Sequence, residues 1–555
     1  MKNLKFERPW LKHYEAGVPH QIEIPKVPLQ KFLKDSALSF PSSTSMVFYD
    51  RRFSYRELNT LSSKFADVLK DLGIERGDRV MLHLPNSPQY VFCYYGILKA
   101  GAVIVPTNPL SVERELRHQV EDSQAKIMVT LDSFYKTAKK VRKKTELESV
   151  LVSRIQDYIP TYKRMLLKIS RRAHLLDEEA TLLSDLLSKA KDKIEEKVSF
   201  NDLAVIQYTG GTTGAPKGTM LTHKNLVSNT LQTKHWFTGA RIGKEVFLSA
   251  IPFFHVYGMT ACMNLSIHLA ATMVLLPRFR IAEVLKAIKK YQPTIFPGVP
   301  TMYVAIINHP KVKKFRVSSI KACISGAAPL PIEVEEGFEK LTRGRLVEGY
   351  GLTETSPVTH ANPIYGIRKT GFIGLPLPST DAKIVNPQTS KNLGVGEIGE
   401  LLIRGPQVMK GYWRMPEETR RVIRDGWLYT GDIARMDADG YFQIIDRKKD
   451  MIISDGYDVF PRDVEEALYE HPKVLEVCAI GIPHEYHGEV VKVFVVLRKG
   501  KTATPEEIIE FCKERLSKYK VPSLVEFREE LPKSMVGKVL RRVLEKEERE
   551  KGREN

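Results

Sequence analysis

Short apolar runs alternating with helix-spaced segments constrain this chain more than any other feature. DRVMLHL (78–84) is followed by YVFCYYGILKAG (90–101), which has helical spacing and stops at Gly101. AVIVP (102–106) reads as a buried strand, Glu113–Asp122 as a polar helix and KIMVTL (126–131) as another strand. That alternation predicts parallel sheet with helices on its faces. It resumes with AVIQYT (204–209) and continues past residue 430. The charge cluster DRKKD (446–450) then separates FQII (442–445) from MII (451–453). A smaller unit follows, with helices over 464–469 and 506–517 and strands over 474–482 and 491–497. The expectation is a large α/β domain over 1–445 and an α+β domain over 446–555, with the boundary at Asp446 and a frayed helical tail.

With 43% apolar residues the chain can bury a core, which excludes a disordered, collagen-like or small stapled protein. A formal charge of +19 calls for an anionic partner: nucleic acid, membrane surface or phosphorylated small molecules. The five cysteines, Cys93, Cys262, Cys323, Cys478 and Cys512, form no CxxC pair, and an odd number is no closed disulfide framework. They are expected as thiols in a reducing compartment. The N-terminal residues lack the apolar core of a secretory signal. Residues 246–277 carry no Lys, Arg, Asp or Glu, but Pro252, His255, Gly258, Asn264 and His268 favour strand, turn and core helix over a membrane span.

The stretch 132–200 is rich in Lys, Arg, Glu and Leu and reads as a basic insertion. Within 154–172, Arg154, Lys163, Arg164, Lys168, Arg171 and Arg172 face one acid, Asp157. Tyr162, Met165, Leu166 and Ile169 share a helix face, with Pro160 near the helix start. Such a segment either lies on an anionic membrane or packs its apolar stripe on the domain body.

YTGGTTGAPKG (208–218) follows the apolar AVIQ. Gly210, Gly211 and Gly214 let the backbone turn tightly and present N–H groups to anionic oxygens. Thr209, Thr212 and Thr213 add hydroxyls, and Lys217 adds a cation. This chemistry suits a polyphosphate, although Pro216 before Lys217 excludes a Walker A loop. In EGYGLTET (348–355), Tyr350 offers a flat face for a base, Thr353 a hydroxyl and Glu354 a hard oxygen ligand suited to Mg²⁺. SGAAPL (325–330) leaves room for a ligand or for tight packing. Asp432 in YTGD can take two ribose hydroxyls, and Lys538 in PKSMVGKVLRR can stabilise charge developing at a phosphate. His255 in PFFHVYGM sits among apolar residues that suit an apolar substrate, or it is a satisfied core histidine.

Together these motifs resemble the adenylate-forming superfamily of acyl-CoA synthetases, luciferases and peptide-synthetase adenylation domains, in order, in spacing and over essentially the whole chain. The resemblance implies stacked mixed and parallel sheets with a distorted barrel, followed by a small mobile C-terminal domain. It implies ATP, Mg²⁺ and CoA as cofactors, with ATP and Mg²⁺ on the Thr209–Lys217 loop and Glu354. Tyr350 and Gly351 would meet adenine, Gly326 and Ala327 would wall the adenine and the acyl tunnel, and Thr353 would touch the α-phosphate. Asp432 and Arg447 would hold ribose, and Asp446 matches the hinge. Lys538 would be catalytic, with His255 at the carboxylate end of the acyl pocket. Gly456, in ISDGYDVFP (453–461), would line the pantetheine channel, with Asp455 where many relatives have Gly.

The GYDVFP form is similar to that of medium- and long-chain fatty acyl-CoA synthetases, and the segment 158–187 resembles that of bacterial-type long-chain fatty acid–CoA ligases. The expected reaction activates a fatty acid to acyl-AMP and transfers the acyl group to CoA. An acyl- or aryl-AMP ligase, or a CoA ligase for another acid, is the alternative. The partners are then small molecules and not nucleic acid. The expected location is the cytoplasm, with the inner membrane face as a candidate, and a homodimer is left open.

Overall fold

The computed structural model describes residues 7–166, 176–192, 197–209, 216–448, 450–454, 457–484, 488–534 and 539–554. They divide into two compact units. One comprises Trp10–Asp381 and Arg404–Gly426, and the other Met1–Pro9, Ala382–Ile403 and Trp427–Asn555.

In the larger unit the predicted alternation forms an eight-stranded sheet. Its order is Gly411–Tyr412, Lys217–Thr222, Leu203–Thr209, Val103–Pro106, Arg79–His83, Ala125–Leu131, Ser149–Ser153 and Thr181–Leu182. The first two strands of that order are antiparallel to their neighbours, and the remaining six are parallel. Val103–Pro106 is buried at every position, which is why it reads as an unbroken apolar run. The helix before that strand begins two residues ahead of its apolar run, at Pro88, because the Ser87 side chain accepts the Tyr90 N–H and proline suits the first turn. All of Pro88–Lys99 is buried. Its tyrosine hydroxyls still find partners, Tyr90 on the Phe253 carbonyl at 2.9 Å and Tyr95 on Asn264 at 3.0 Å.

Two four-stranded sheets complete this unit. One runs Val246–Ser249, Thr272–Leu275, Thr44–Phe48, Arg51–Ser54, and the other Ala322–Ser325, Arg345–Gly351, Val358–Ala361, Leu375–Pro376. Ile295 joins them by single bridges to Phe247 and Ala322. The uncharged stretch 246–277 is strand, π-helix Gly258–Asn264, helix Leu265–His268 and strand, with every π-helical residue buried. Among the described residues no helix is long and apolar enough to cross a membrane.

The basic stretch 132–200 contributes the strands Ser149–Ser153 and Thr181–Leu182 to the large sheet. Pro160 precedes the helix Thr161–Leu166 as expected, Tyr158 and Ile159 are buried, and Lys163 pairs with Asp50 at 2.6 Å. Lys168, Ile169, Arg171 and Arg172 lie outside the described residues. All five cysteines are buried free thiols.

The smaller unit holds a sheet of Ile452–Ser454, Tyr457–Val459, Val474–His484, Gly488–Leu497 and Leu524–Phe527. Helices Pro461–Tyr469 and Pro505–Lys513 pack on it through Val464, Leu468, Val477, Val493 and Ile508. The second helix ends four residues before its expected end at Ser517. The Arg515 and Leu516 N–H groups both turn back onto the Cys512 carbonyl, at 3.0 and 2.8 Å. The tail is helical over Arg541–Glu554. A further set runs Asp381–Val385, Gly399–Arg404, Trp427–Met436 and Phe442–Arg447, with Trp427–Met436 antiparallel to Gly399–Arg404 and to Phe442–Arg447.

Candidate active site

The stems of the candidate phosphate loop form a hairpin in the large sheet. Thr209 pairs with Lys217 and Tyr208 with Gly218 across strands Leu203–Thr209 and Lys217–Thr222. Gly210, Gly211, Thr212, Thr213 and Gly214 lie outside the described residues, but both stems are defined. The Lys217 ammonium sits 2.7 Å from the Glu418 carboxylate and 5.2 Å from the centroid of the Tyr412 ring. That contact with Lys217 lowers the Glu418 carboxyl from its ordinary range.

Glu354 lies in the short 3₁₀ turn Thr353–Thr355, directly after the strand carrying Tyr350. The turn is locked locally: Leu352 N–H donates to the Thr355 hydroxyl at 3.0 Å, and that hydroxyl donates to the Pro357 carbonyl. Gly351 is required here, because a Cβ would stand 2.0 Å from the Pro357 carbonyl oxygen. The Tyr412 hydroxyl donates to Glu354 Oε1 at 2.8 Å. Burial and the neighbouring Glu354 charge raise the Tyr412 phenol well above its ordinary value, so it stays a donor. Among the described residues no three His, Cys, Asp or Glu side chains could hold a metal ion by themselves. Mg²⁺ fits Glu354 together with phosphate oxygens, the usual arrangement where one or two carboxylates share the ion with a substrate. Tyr350 is half-buried, its ring edge-on to His360 at 6.0 Å.

The segment around His255 is tied to both neighbouring motifs. Gln207, two residues before Thr209, donates to the Phe254 carbonyl at 3.1 Å. The Tyr257 hydroxyl donates to the Ile324 carbonyl at 2.6 Å, and a Cβ on Gly326 would stand 3.1 Å from the Tyr257 ring. Gly326 is therefore small because an aromatic ring lies against it. Ala327 adopts φ +69°, a left-handed conformation rare for a residue with a side chain. His255 Nδ1 accepts the Tyr257 N–H at 3.3 Å, leaving the ring proton for Nε2 in the neutral form.

In the smaller unit, Asp432 and Arg447 face each other across antiparallel strands, with Nε 3.3 Å from Oδ1. Glu400 supports that pair by accepting the Gly431 N–H at 3.2 Å and the Lys448 ammonium at 3.1 Å. Asp446, inside strand Phe442–Arg447, accepts the N–H groups of Arg447 and Arg462 at 2.7 and 2.8 Å. Burial pushes its carboxyl up to about 6, against the pull of Arg541. Arg541 itself binds Asp450, Glu465 and the Ala479 carbonyl at 3.0, 2.6 and 2.9 Å. Lys538 and Gly456 lie outside the described residues. Their flanks are closed by the Lys533–Val539 bridge and the Ser454–Tyr457 pair.

Sequence reasoning missed Tyr412, Glu418, Gln207 and Glu400. The segment GYWRMPEET (411–419) carried a signal, an aromatic pair followed by Pro416 and two acids. Nothing local tied it to residues far back in the chain.

The AMP-binding enzyme family matches residues 33–413, and the AMP-binding enzyme C-terminal domain matches residues 463–538. The chain is similar to a long-chain-fatty-acid–CoA ligase of Bacillus subtilis, 47% identical over 99% of each chain. It is also similar to the ligase of that description from Yersinia pestis, 39% identical over 98% of each. Among solved structures, ATP-bound MatB from Rhodopseudomonas palustris superposes with a TM-score of 0.85 at 30% identity, over 94% of this chain and 99% of that one. A Mycobacterium tuberculosis fatty acyl CoA synthetase gives 0.72 at 29%, over 94% and 98%.

Proposed function

The chain belongs to the AMP-binding enzyme family, and from that premise we propose a function as a fatty acid–CoA ligase and a role for each site residue. It activates a fatty acid with ATP to acyl-AMP and pyrophosphate, then transfers the acyl group to CoA and releases AMP. The observation that carries this is near-complete, end-to-end likeness to long-chain-fatty-acid–CoA ligases, 47% identical in one case. The two steps make chemical sense, because AMP is a far better leaving group than the oxide of a free carboxylate.

The role of each residue follows from its chemistry. The backbone of the Thr209–Lys217 loop would cradle the polyphosphate, and Lys217 would add charge to it. Glu354, with Thr209, would hold Mg²⁺, which supplies charge neutralisation on the phosphates when bound. Tyr350 and Gly351 would meet adenine, with Gly326 and Ala327 as its wall, and Thr353 would touch the α-phosphate. The Asp432 carboxylate would accept ribose hydroxyls while Arg447 holds its orientation. As the fatty carboxylate oxygen attacks the α-phosphate, Lys538 would stabilise the charge that develops there. His255 would stand at the carboxylate end of an apolar pocket. Asp446 would be the pivot between a large domain and a C-terminal one, and Gly456 would give the thin CoA arm its approach. We further propose that 154–172 rests on anionic lipid at the cytoplasmic membrane face.

Pyrophosphate release and acyl-CoA formation, measured with a panel of fatty acids from medium to long chain, test the reaction. Fatty-acid-dependent release of pyrophosphate with acyl-CoA as product is expected. Release with no acid of any length, or release with only aromatic acids, overturns it.

A further inference from the structure

The segment after residue 404 reaches two charged groups that sequence motifs single out, Glu354 and Lys217, and one of its side chains touches both. Tyr412 lies in a two-residue strand on the edge of the large sheet, paired with Thr219 of the strand that begins at Lys217. Its N–H donates to the Thr419 hydroxyl at 2.9 Å, and only 7% of the residue is exposed. The backbone beside it is pinned to the Glu354 turn independently. Met409 N–H donates to the Glu354 carbonyl at 2.8 Å, and the Ser356 hydroxyl donates to the Gln407 carbonyl at 3.0 Å. The tyrosine is therefore held in place before it touches either charge. From that position its hydroxyl donates to Glu354 Oε1 at 2.8 Å, and its ring lies 5.2 Å from the Lys217 ammonium.

We propose that Tyr412 is a positioning residue of the nucleotide site, its hydroxyl aiming the Glu354 carboxylate at the metal and its ring face seating the Lys217 ammonium. This rests on the reading of Glu354 as the Mg²⁺ ligand and Lys217 as the phosphate cation. A glutamate side chain turns about three rotatable bonds, and a hydrogen bond to Oε1 restricts the direction in which its carboxylate points. Hydrogen bonds of this kind to a metal-binding carboxylate typically change metal affinity about 10–100-fold when removed. A cation over an aromatic face adds a smaller attraction that does not need the hydroxyl. The two contributions are separable by substitution.

In the full-length enzyme, Tyr412→Phe deletes the hydroxyl and keeps the ring, whereas Tyr412→Leu deletes both. The measurement is pyrophosphate release as a function of Mg²⁺ at fixed ATP and as a function of ATP at saturating Mg²⁺. Conversion of supplied acyl-AMP and CoA to acyl-CoA, which involves no triphosphate, is measured alongside. For Tyr412→Phe the Mg²⁺ concentration giving half-maximal release should rise about tenfold. Its KM for ATP at saturating Mg²⁺ should change less than about twofold, and that of Tyr412→Leu should rise further. Both variants should still convert supplied acyl-AMP. Equal loss in the two half-reactions would mean a merely structural side chain and overturns the proposal. Glu354→Gln serves as the reference. If it shifts the Mg²⁺ curve and Tyr412→Phe does not, the proposal falls alone. If Glu354→Gln leaves the curve in place, the reading of Glu354 falls and takes the proposal with it.

Discussion

At the scale of single residues, Lys538 carries the sharpest expectation. Lys538→Ala should slow pyrophosphate release by about a hundred- to a thousandfold, the usual loss when one group stabilising transition-state charge is removed. It should still convert supplied acyl-AMP and CoA to acyl-CoA, and separate assays of the two half-reactions check this. Asp446 makes a second prediction. Its folded-state carboxyl is raised to about 6 by burial, whereas an unfolded chain returns it to the ordinary value of 3.8. The folded state therefore binds the proton more tightly. The stabilisation this gives is complete below the unfolded value and is lost as pH rises through about 6. Melting temperatures of the natural protein and Asp446→Asn, followed from about pH 4 to pH 8, should show the variant gaining relative to the parent as pH rises. A difference independent of pH would contradict the burial argument. The identity of both residues was legible in the chain, because motif and side-chain type are local. The raised carboxyl of Asp446 was not, because its burial is set by tertiary packing, which outweighs the opposing pull of Arg541 and of the Arg462 N–H.

At the scale of elements, the site depends on how one irregular segment is stitched to a helix. Asn225 occupies the third position of helix His223–Trp236, closes a capping box with Thr222, and donates to the Pro406 and Val408 carbonyls at 2.9 and 2.7 Å. Those carbonyls begin the segment that ends on Tyr412. Asn225→Ala should lower stability by about 2–4 kcal/mol, the worth of a cap plus two buried hydrogen bonds. It should also raise the KM for ATP, as denaturant unfolding and initial rates would report. The His255 segment makes a companion case. Gly258 starts the π-helix, and a Cβ there would stand 2.2 Å from the Pro252 carbonyl oxygen. Backbone has to move to admit it, so Gly258→Ala should destabilise by about 1–3 kcal/mol and reduce the rate with fatty acids. Four strands of the large sheet, Arg79–His83, Val103–Pro106, Ala125–Leu131 and Leu203–Thr209, were readable as apolar runs, whereas Ser149–Ser153, Thr181–Leu182, Lys217–Thr222 and Gly411–Tyr412 were not. Helix ends were less readable: Ser87 and Pro88 moved one helix start, and the turn onto the Cys512 carbonyl shortened another helix.

At the scale of the whole molecule, the net charge of +19 has several destinations. It is the excess left once ion pairs such as Lys163 on Asp50 and Lys492 between Glu526 and Glu548 have cancelled. The basic segment is the proposed lipid-facing part. Lys168→Glu, Arg171→Glu and Arg172→Glu together should weaken binding to anionic vesicles at least about tenfold, given about 1 kcal/mol per basic residue near such a surface. Activity on a soluble short-chain acid should persist, and vesicle sedimentation with parallel rates decides it. Unchanged binding would favour packing of the segment on the domain body. By itself, the sequence determined the strand–helix alternation and the class of reaction its motifs resemble, and it supplied the residues proposed for phosphate binding and catalysis. These are carried by local spacing and local chemistry, which survive without knowledge of the fold. Only the tertiary structure decided that Tyr412, distant in the chain, stands against Glu354 and Lys217, that Glu418 pairs with Lys217, and that Arg447 meets Asp432. Such pairings depend on which strands lie edge to edge and on how water is excluded between them, and neither is written in any one stretch of residues.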